Sequence, residues 1–217
     1  MEYEKAVKRP FTDLNKFLIG VLLLIVPFLN LITGLFVRGY SLECAKSSMK
    51  KKFGLPEWRL DNFVKGLIGV VIMIIYLLPV IILGLIFIGG LILSIFSINE
   101  PEELVNLLVG IDLTVLISVL LLFLFVLYII PMAMMSYVEK WRFRDAFSCR
   151  KVFKKSFNLE YLKVVLFLLF YGILIGIGSF VVSLIPFVGI FVAMAISGFI
   201  LGVTSNTLFG EVYRKVK

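Results

Sequence analysis

FLIGVLLLIVPFLNLITGLFV, residues 17–37, is the first apolar run of the chain, and it carries a proline and an asparagine at its centre. A run of about 20 apolar residues is long enough to cross a bilayer as a helix. Pro27 nevertheless removes a helical hydrogen bond at a depth where lipid offers no replacement, and Asn30 brings a polar side chain close to the same point. The run therefore either crosses as a kinked helix or turns back to the side from which it entered.

The overall composition is that of a membrane protein. Hydrophobic residues make up 61% of the 217 residues and charged residues 17%, with a mean hydropathy of +1.08, whereas soluble proteins are roughly half apolar and a quarter charged. We therefore expect an all-α fold, a polytopic transmembrane helical bundle, with residues 1–217 forming a single integral-membrane domain. The first residues lack a short apolar core followed by a small-residue cleavage site, so we expect no removable signal peptide.

Four further apolar runs are each long enough to span about 30 Å of hydrocarbon as a helix. They cover approximately residues 63–98, 113–138, 161–184 and 187–209. All 22 lysines and arginines fall in residues 5–16, 38–65, 140–163 and 214–217, while the connection 97–112 holds four carboxylates and no basic residue. Because basic residues stay on the cytoplasmic side, we expect a multi-pass protein of the cell membrane with four spans and with both the N- and C-termini cytoplasmic.

The charge distribution favours an N-terminal re-entrant hairpin for residues 17–37. Two half-helices of ~10 residues would each reach ~15 Å, half the hydrocarbon depth, and would leave every basic residue inside. The Pro-Phe pair at residues 27–28 also recurs at residues 186–187, where the chain has to turn between two spans. The alternative is a bundle of five spans, in which residues 17–37 cross as a kinked helix and the four basic residues before them lie outside.

Two basic segments have the pattern of amphipathic helices that lie on the inner membrane surface. One covers residues 38–54, and the other covers residues 141–157, where phenylalanines and basic residues recur at helical spacing. We expect membrane lipids with anionic headgroups on the cytoplasmic side as partners and no nucleic acid, and we leave the oligomeric state open. The alternative is that both segments are connectors whose charges only fix the orientation. The candidate lipid-contacting residues are Lys46, Lys50, Lys51, Lys52, Arg144, Lys151, Lys154 and Lys155.

The sequence offers little that could support catalysis. It has no histidine, and the four spans carry no acidic or basic residue away from their ends. We therefore expect no enzyme activity, no catalytic residue, no metal and no cofactor. Cys44 and Cys149 lie in basic segments that we place in the reducing cytoplasm, where a disulfide is not expected. A membrane-organising or lipid-interacting protein is the leading hypothesis.

A small permease or channel for an unidentified solute is the alternative function. Broken helices expose backbone groups to substrates in transporters, so Pro27 and Asn30 are candidate helix-break or pathway residues. Thr33 and the polar residues 204–207 are further candidates. We favour simpler roles for them, with Asn30 capping a helix and residues 204–207 forming hydrogen bonds between helices.

Glycine spacing predicts close packing between the last two spans. Gly172 and Gly176 form one small-residue pair, and Gly198 and Gly202 form another. Gly172 and Gly198 lie equally far from the turn near residue 185, so in an antiparallel pair of helices they would face each other at a similar depth. Small residues at such positions let helix backbones approach closely.

Three short pieces of the chain carry a family resemblance. They are LPEW at residues 55–58, GLIGVVIMIIYLLP at residues 66–79 and RFRDAFSCRKVF at residues 142–153. With the apolar run at residues 17–37, they resemble the prokaryotic integral-membrane family catalogued as domain-of-unknown-function family 4013, and the resemblance covers nearly the whole chain. The resemblance implies a multi-span membrane protein and supplies no activity, substrate or catalytic residue.

Overall fold

The computed structural model describes residues 1–26, 29–96, 113–186 and 188–216. Within those ranges the chain forms eight α-helices and no strand, as the sequence predicts. Two 3-10 turns, Arg9–Phe11 and Phe143–Phe147, lie between helices. The helices are α1 (Tyr3–Lys8), α2 (Leu14–Ile25), α3 (Asn30–Met49), α4 (Asp61–Phe96), α5 (Leu113–Lys140), α6 (Cys149–Ser156), α7 (Leu159–Ser183) and α8 (Gly189–Lys215).

Four of these helices are long and apolar enough to cross a membrane, which confirms the four predicted spans. The spanning segments are Asp61–Gly90 in α4, Ile117–Lys140 in α5, Leu159–Ser183 in α7 and Gly189–Lys215 in α8. Only 6% of the most apolar window of α7 is buried within the protein, compared with 39% for α8. Helix α7 therefore presents most of its apolar surface outward, whereas α8 lies at the centre of the packing.

The contacts divide the chain into two compact units. Unit 1 comprises Met1–Ile72 and Pro131–Lys217, and unit 2 comprises Met73–Ile130. In unit 2 the apolar side chains are largely exposed, with Leu85 at 63% and Leu93 at 73%, as expected of helices that face lipid. The single-domain organisation stays a prediction.

Residues 17–37 form a helical hairpin and not one long helix. Helix α2 ends at Ile25, and α3 begins at Asn30. The Thr33 hydroxyl donates a hydrogen bond to the Leu23 carbonyl, although ten residues of continuous helix would separate these two groups by ~15 Å. The chain must therefore reverse between the two helices, which confirms the predicted hairpin. Pro27, the predicted break, lies outside the described residues.

The two ends of the chain lie close together in unit 1. The backbone amide of Glu2 donates to the carboxylate of Glu211, one turn before the end of α8, at 3.1 Å. If residues 17–37 crossed the membrane as a fifth span, the N-terminal segment would lie on the side opposite to the end of α8. The position of Glu2 therefore contradicts the five-span alternative.

The core of unit 1 forms where the hairpin packs on α8. Phe199 of α8 is fully buried, and the ring of Phe17 meets it edge-to-face with centroids 5.6 Å apart. Tyr40 of α3 is also fully buried and stacks on Trp58, with centroids 3.8 Å apart. The Tyr40 hydroxyl donates to the Pro56 carbonyl at 3.2 Å. The LPEW motif therefore packs against the hairpin inside the protein.

The close approaches between helices involve other glycines than those predicted. No described heavy atom lies within 4 Å of a Cβ placed at Gly172 or Gly176, while Gly198 and Gly202 face the hairpin instead of α7. The predicted packing of α7 on α8 through these four glycines is therefore wrong. A Cβ at Gly39 would collide with the Asn62 carbonyl of α4, because α3 and α4 cross with their backbones in contact. Spacing reveals small residues but not the helix that approaches them.

The prediction of a separate surface helix over residues 38–54 is also wrong. These residues continue α3 to Met49, and Leu42 and Ala45 are 2% and 0% exposed because they pack within the protein. An apolar stripe along a helix has the same period whether it faces lipid or protein. The second segment does contain a short amphipathic helix, α6, which leaves Phe153 exposed.

Candidate functional site

Four helices of unit 1 meet around a basic pocket, and each contributes residues at or near one of its ends. The pocket has a volume of about 340 Å³. Its walls carry the basic side chains of Lys46 and Lys50 from the end of α3, Lys155 from α6 and Arg214 from the last turn of α8. Glu139, at the end of α5, and Tyr213 complete its polar lining.

Lys155 is fixed against the C-terminal end of α8. Its ammonium donates to the Tyr213 carbonyl at 2.6 Å and also to the Val216 carbonyl. The same ammonium lies 4.0 Å from the centroid of the Tyr213 ring. The last carbonyls of a helix lack intrahelical donors and carry partial negative charge. Lys155 therefore binds the end of α8 and attaches α6 to it.

Glu139 is neutralised by its own neighbours. Its carboxylate pairs with the ammonium of Lys151 and accepts a hydrogen bond from the Tyr213 hydroxyl at 3.1 Å. Its backbone carbonyl accepts from the ammonium of Lys46. Glu139, the one carboxylate among the described residues that line the pocket, is therefore already paired with a lysine outside the lining.

Lys50 and Arg214 remain available. Lys50 is exposed, and its ammonium has no partner among the described residues. Arg214 is half-buried, and its Nε is buried without a hydrogen-bond partner in the part of the chain that the structure describes. Both side chains can therefore turn their donors towards a ligand in the pocket.

The pocket has a strong excess of positive charge, since four basic side chains face one carboxylate that is already paired. Burial, followed by repulsion from Lys50, lowers the pKa of Lys46. Burial also lowers the pKa of Lys155; attraction to Glu139 opposes this shift, while repulsion from Lys151 and Lys154 adds to it. Each shift means that the local surroundings disfavour the charged form. A bound anion would relieve this repulsion, so the pocket is suited to an oxyanion such as a phosphate group.

The structure brings together only some of the predicted lipid-contacting residues. Lys46, Lys50 and Lys155 line the basic pocket, and Lys151 lies beside it on Glu139. The remaining four are exposed elsewhere, namely Lys51, Lys52, Arg144 and Lys154. Sequence reasoning missed Tyr213 and Arg214 as site residues. The basic end of the chain was visible as a charge cluster, but nothing in the sequence showed that it meets α3.

Five of the predicted pathway residues fall into two groups. Asn30 lines a second cavity of unit 1 together with Ser205 and Asn206. Thr33 and Thr207 instead use their hydroxyl groups in hydrogen bonds within the protein. Asn30 is the first residue of α3, and no side chain caps this helix, so the predicted cap is wrong.

The remaining chemical groups offer no further reactive site among the described residues. No group of three His, Cys, Asp or Glu side chains there could hold a metal ion. Both thiols are free, with Cys149 exposed and Cys44 buried. Burial raises the pKa of the Cys44 thiol to about 12, so it stays protonated at neutral pH.

Four apolar helices of spanning length and a packed helical hairpin define the class: an all-helical membrane protein. The chain belongs to the family described as "Protein of unknown function (DUF4013)", which it matches over residues 19–187. This match confirms the resemblance drawn from LPEW and the neighbouring motifs. Tyr213 and Arg214 of the basic pocket lie beyond the matched residues. Searches of curated proteins and of solved structures each returned no match.

Proposed function

We propose that this membrane protein is not an enzyme and that it binds anionic lipid headgroups on the cytoplasmic side of the cell membrane, where it organises the inner leaflet. The observation that carries the proposal is the basic pocket, in which four cationic side chains surround one neutralised carboxylate. Lipid phosphates supply the matching charge, and they lie at the depth where spanning helices end.

The position of the pocket supports this function. It lies at the end of unit 1 that holds the end of α8, and its lining residues Lys50, Lys155 and Arg214 belong to three basic segments of the chain. Basic residues near spans stay on the cytoplasmic side, where the leaflet surface is negatively charged.

Helix α6 adds an apolar surface beside these charges. Phe153 and Phe157 are 40% and 62% exposed, and their rings stack with centroids 6.1 Å apart. Lys155, which lies between them in sequence, points into the basic pocket. Exposed aromatic rings beside lysines are typical of helices that lie at a membrane interface. One lipid could therefore place its phosphate in the pocket and its chains against the phenylalanine rings.

The test uses Lys50 and Arg214, the two cations of the pocket whose side chains have no hydrogen-bond or ion-pair partner among the described residues. The variant Lys50→Gln/Arg214→Gln removes them and leaves Lys46 and Lys155 on their helix ends. The control Arg59→Gln/Lys140→Gln removes the same charge from two exposed positions outside the pocket. Native mass spectrometry of protein in uncharged detergent micelles counts bound phosphatidylglycerol. Such micelles have no surface potential, so retained lipid reports a binding site.

If each of the two cations contributes about 1 kcal/mol net through a hydrogen bond to the lipid phosphate, the pocket variant should lose about 2 kcal/mol, or roughly 30-fold in affinity. The control should stay within about threefold of the wild type, since its charges act only through long-range attraction. Equal binding by both double variants and the wild type would contradict the proposal. A specific solute flux in vesicles that Asn30→Leu abolishes would instead support the permease alternative.

A further inference from the structure

A second cavity, of about 550 Å³, opens between the hairpin and α8. We call it the hairpin groove. One part of its wall is apolar and includes Leu24, Leu31 and Leu35. The other part is polar and includes Asn30, Arg38, Ser205 and Asn206. The groove shares no lining residue with the basic pocket, so the two cavities can be tested independently.

Among the described residues that line the hairpin groove, Arg38 is the only one with a charged side chain, and no carboxylate among them pairs with it. No hydrogen bond or ion pair joins its guanidinium to another described residue, and the residue is exposed. The guanidinium therefore keeps all five of its N–H donors for a ligand.

Arg9 shows what this protein does with an arginine that serves its structure. The Arg9 guanidinium is fully buried and donates four hydrogen bonds to α3, to α8 and to the linker before α4. Arg38 makes none of these contacts, although carbonyl groups and hydroxyls line its groove. The contrast indicates that Arg38 is not needed to hold the helices together.

Other polar groups in the groove differ in their availability. Ser205 and Asn206 donate to the Gly202 carbonyl of their own helix, at 3.3 and 2.9 Å. The side-chain amide of Asn30 makes no hydrogen bond to another described residue, so it can donate to a ligand. The groove thus presents two free donor groups, Arg38 and Asn30, above an apolar wall.

The surroundings of the groove are strongly apolar. Leu31 and Ile32, at the start of α3, are 79% and 61% exposed. A small soluble anion would leave this surface and the leucine wall uncovered. A ligand with an acyl chain would cover both, while its charged end binds Arg38.

We propose that the hairpin groove binds one membrane lipid, with the anionic headgroup on Arg38 and the acyl chain along the leucine wall. A guanidinium binds a phosphate or carboxylate through two parallel N–H···O bonds, which fixes the headgroup geometry. This lipid would fill the space between α3 and α8. The site is separate from the basic pocket and does not depend on the function proposed for it.

The experiment measures binding of a spin-labelled phosphatidylglycerol to the full chain in neutral detergent. We compare the wild type with Arg38→Gln, Arg38→Lys and the control Arg59→Gln, which removes one exposed arginine outside the groove. Arg38→Gln should weaken binding at the groove at least tenfold. Arg38→Lys should weaken it about threefold, because lysine keeps the charge but lacks the planar fork of arginine. The control should bind as the wild type does. Ser205→Leu fills the groove without changing its charge and should cause the same loss as Arg38→Gln.

Competition identifies the ligand class. Oleate should compete with the spin-labelled lipid for the groove. Oleyl alcohol should not compete because it is neutral, and inorganic phosphate should not compete because it has no acyl chain. Unchanged binding in both Arg38→Gln and Ser205→Leu would overturn the proposal, and so would equal competition by inorganic phosphate. Lys50→Gln/Arg214→Gln should leave the groove site intact, so a loss in that variant alone concerns only the basic pocket.

Discussion

Arg9 provides the sharpest test of how this fold is stabilised. Its guanidinium is 0% exposed and has no carboxylate partner among the described residues. It donates to the carbonyls of Cys44 and Gly54 and to the Thr207 hydroxyl, each at 2.9 Å, and also to the Ser47 hydroxyl. It therefore connects the N-terminal segment to α3, to the following linker and to α8.

The magnitude follows from those four hydrogen bonds. If each contributes about 1 kcal/mol net, Arg9→Met should lower the free energy of unfolding by about 4 kcal/mol. Two of the acceptors are backbone carbonyls, and that of Gly54 would lose its hydrogen-bond donor. Arg9→Lys should lose about half as much, because an ammonium has three donors and lacks the planar fork of arginine.

Thermal unfolding in detergent measures the effect. For a chain of this size 1 kcal/mol corresponds to about 2–4 °C, so Arg9→Met should lower Tm by about 8–16 °C. The control Arg59→Met changes an exposed arginine and should leave Tm within about 2 °C. Desolvating a charge costs several kcal/mol, and replacing a buried ion by a hydrophobic residue can stabilise a protein. An Arg9→Met protein as stable as the wild type would show that this cost fully offsets the four hydrogen bonds, and would refute the reasoning.

Three further predictions concern packing, thiol chemistry and topology. Gly39→Ala should lower the Tm measured in detergent, because its Cβ collides with a carbonyl of α4, whereas Gly172→Ala, which meets no described atom within 4 Å, should not. Cys149 is exposed and should react with maleimide at neutral pH, whereas Cys44, which is buried and whose pKa is raised by burial, should react only when the protein is unfolded. In a Cys149→Ser background, cysteines introduced at residues 5 and 50 should be shielded from a membrane-impermeant thiol reagent in intact cells. A cysteine introduced at residue 102 should react with it. Labelling at residue 5 would contradict the cytoplasmic position of the termini.

The helices and the hairpin could be predicted from the sequence because they depend on local composition and on charge. The spans follow from runs of about 20 apolar residues. The hairpin follows from the basic residues on both sides of residues 17–37, which would lie on opposite sides of the membrane if the run crossed it. Both arguments need only the order of residues along the chain.

The candidate sites could not be predicted in this way because they join residues that are distant in sequence. Lys46 and Arg214 line one pocket although 168 positions separate them. The sequence places Arg38 at the start of the basic segment 38–54, but the structure places it in the wall of a groove that Ser205 of α8 also lines. The glycine prediction failed for the same reason, since Gly202 faces Ser41 of the hairpin and not α7.

The basic residues of this chain have separate roles, and their partners decide which role each one has. Lys155 satisfies the carbonyls at the end of α8, as lysines commonly do at helix C-termini. Arg9 satisfies buried acceptors. Removing Lys155 or Arg9 should therefore reduce the stability of the protein before it affects ligand binding. Lys50 and Arg38 lack such partners among the described residues, so their loss should reduce lipid binding while the protein stays folded. A stability assay and a binding assay on the same four variants would separate the two roles, which a count of net charge cannot do.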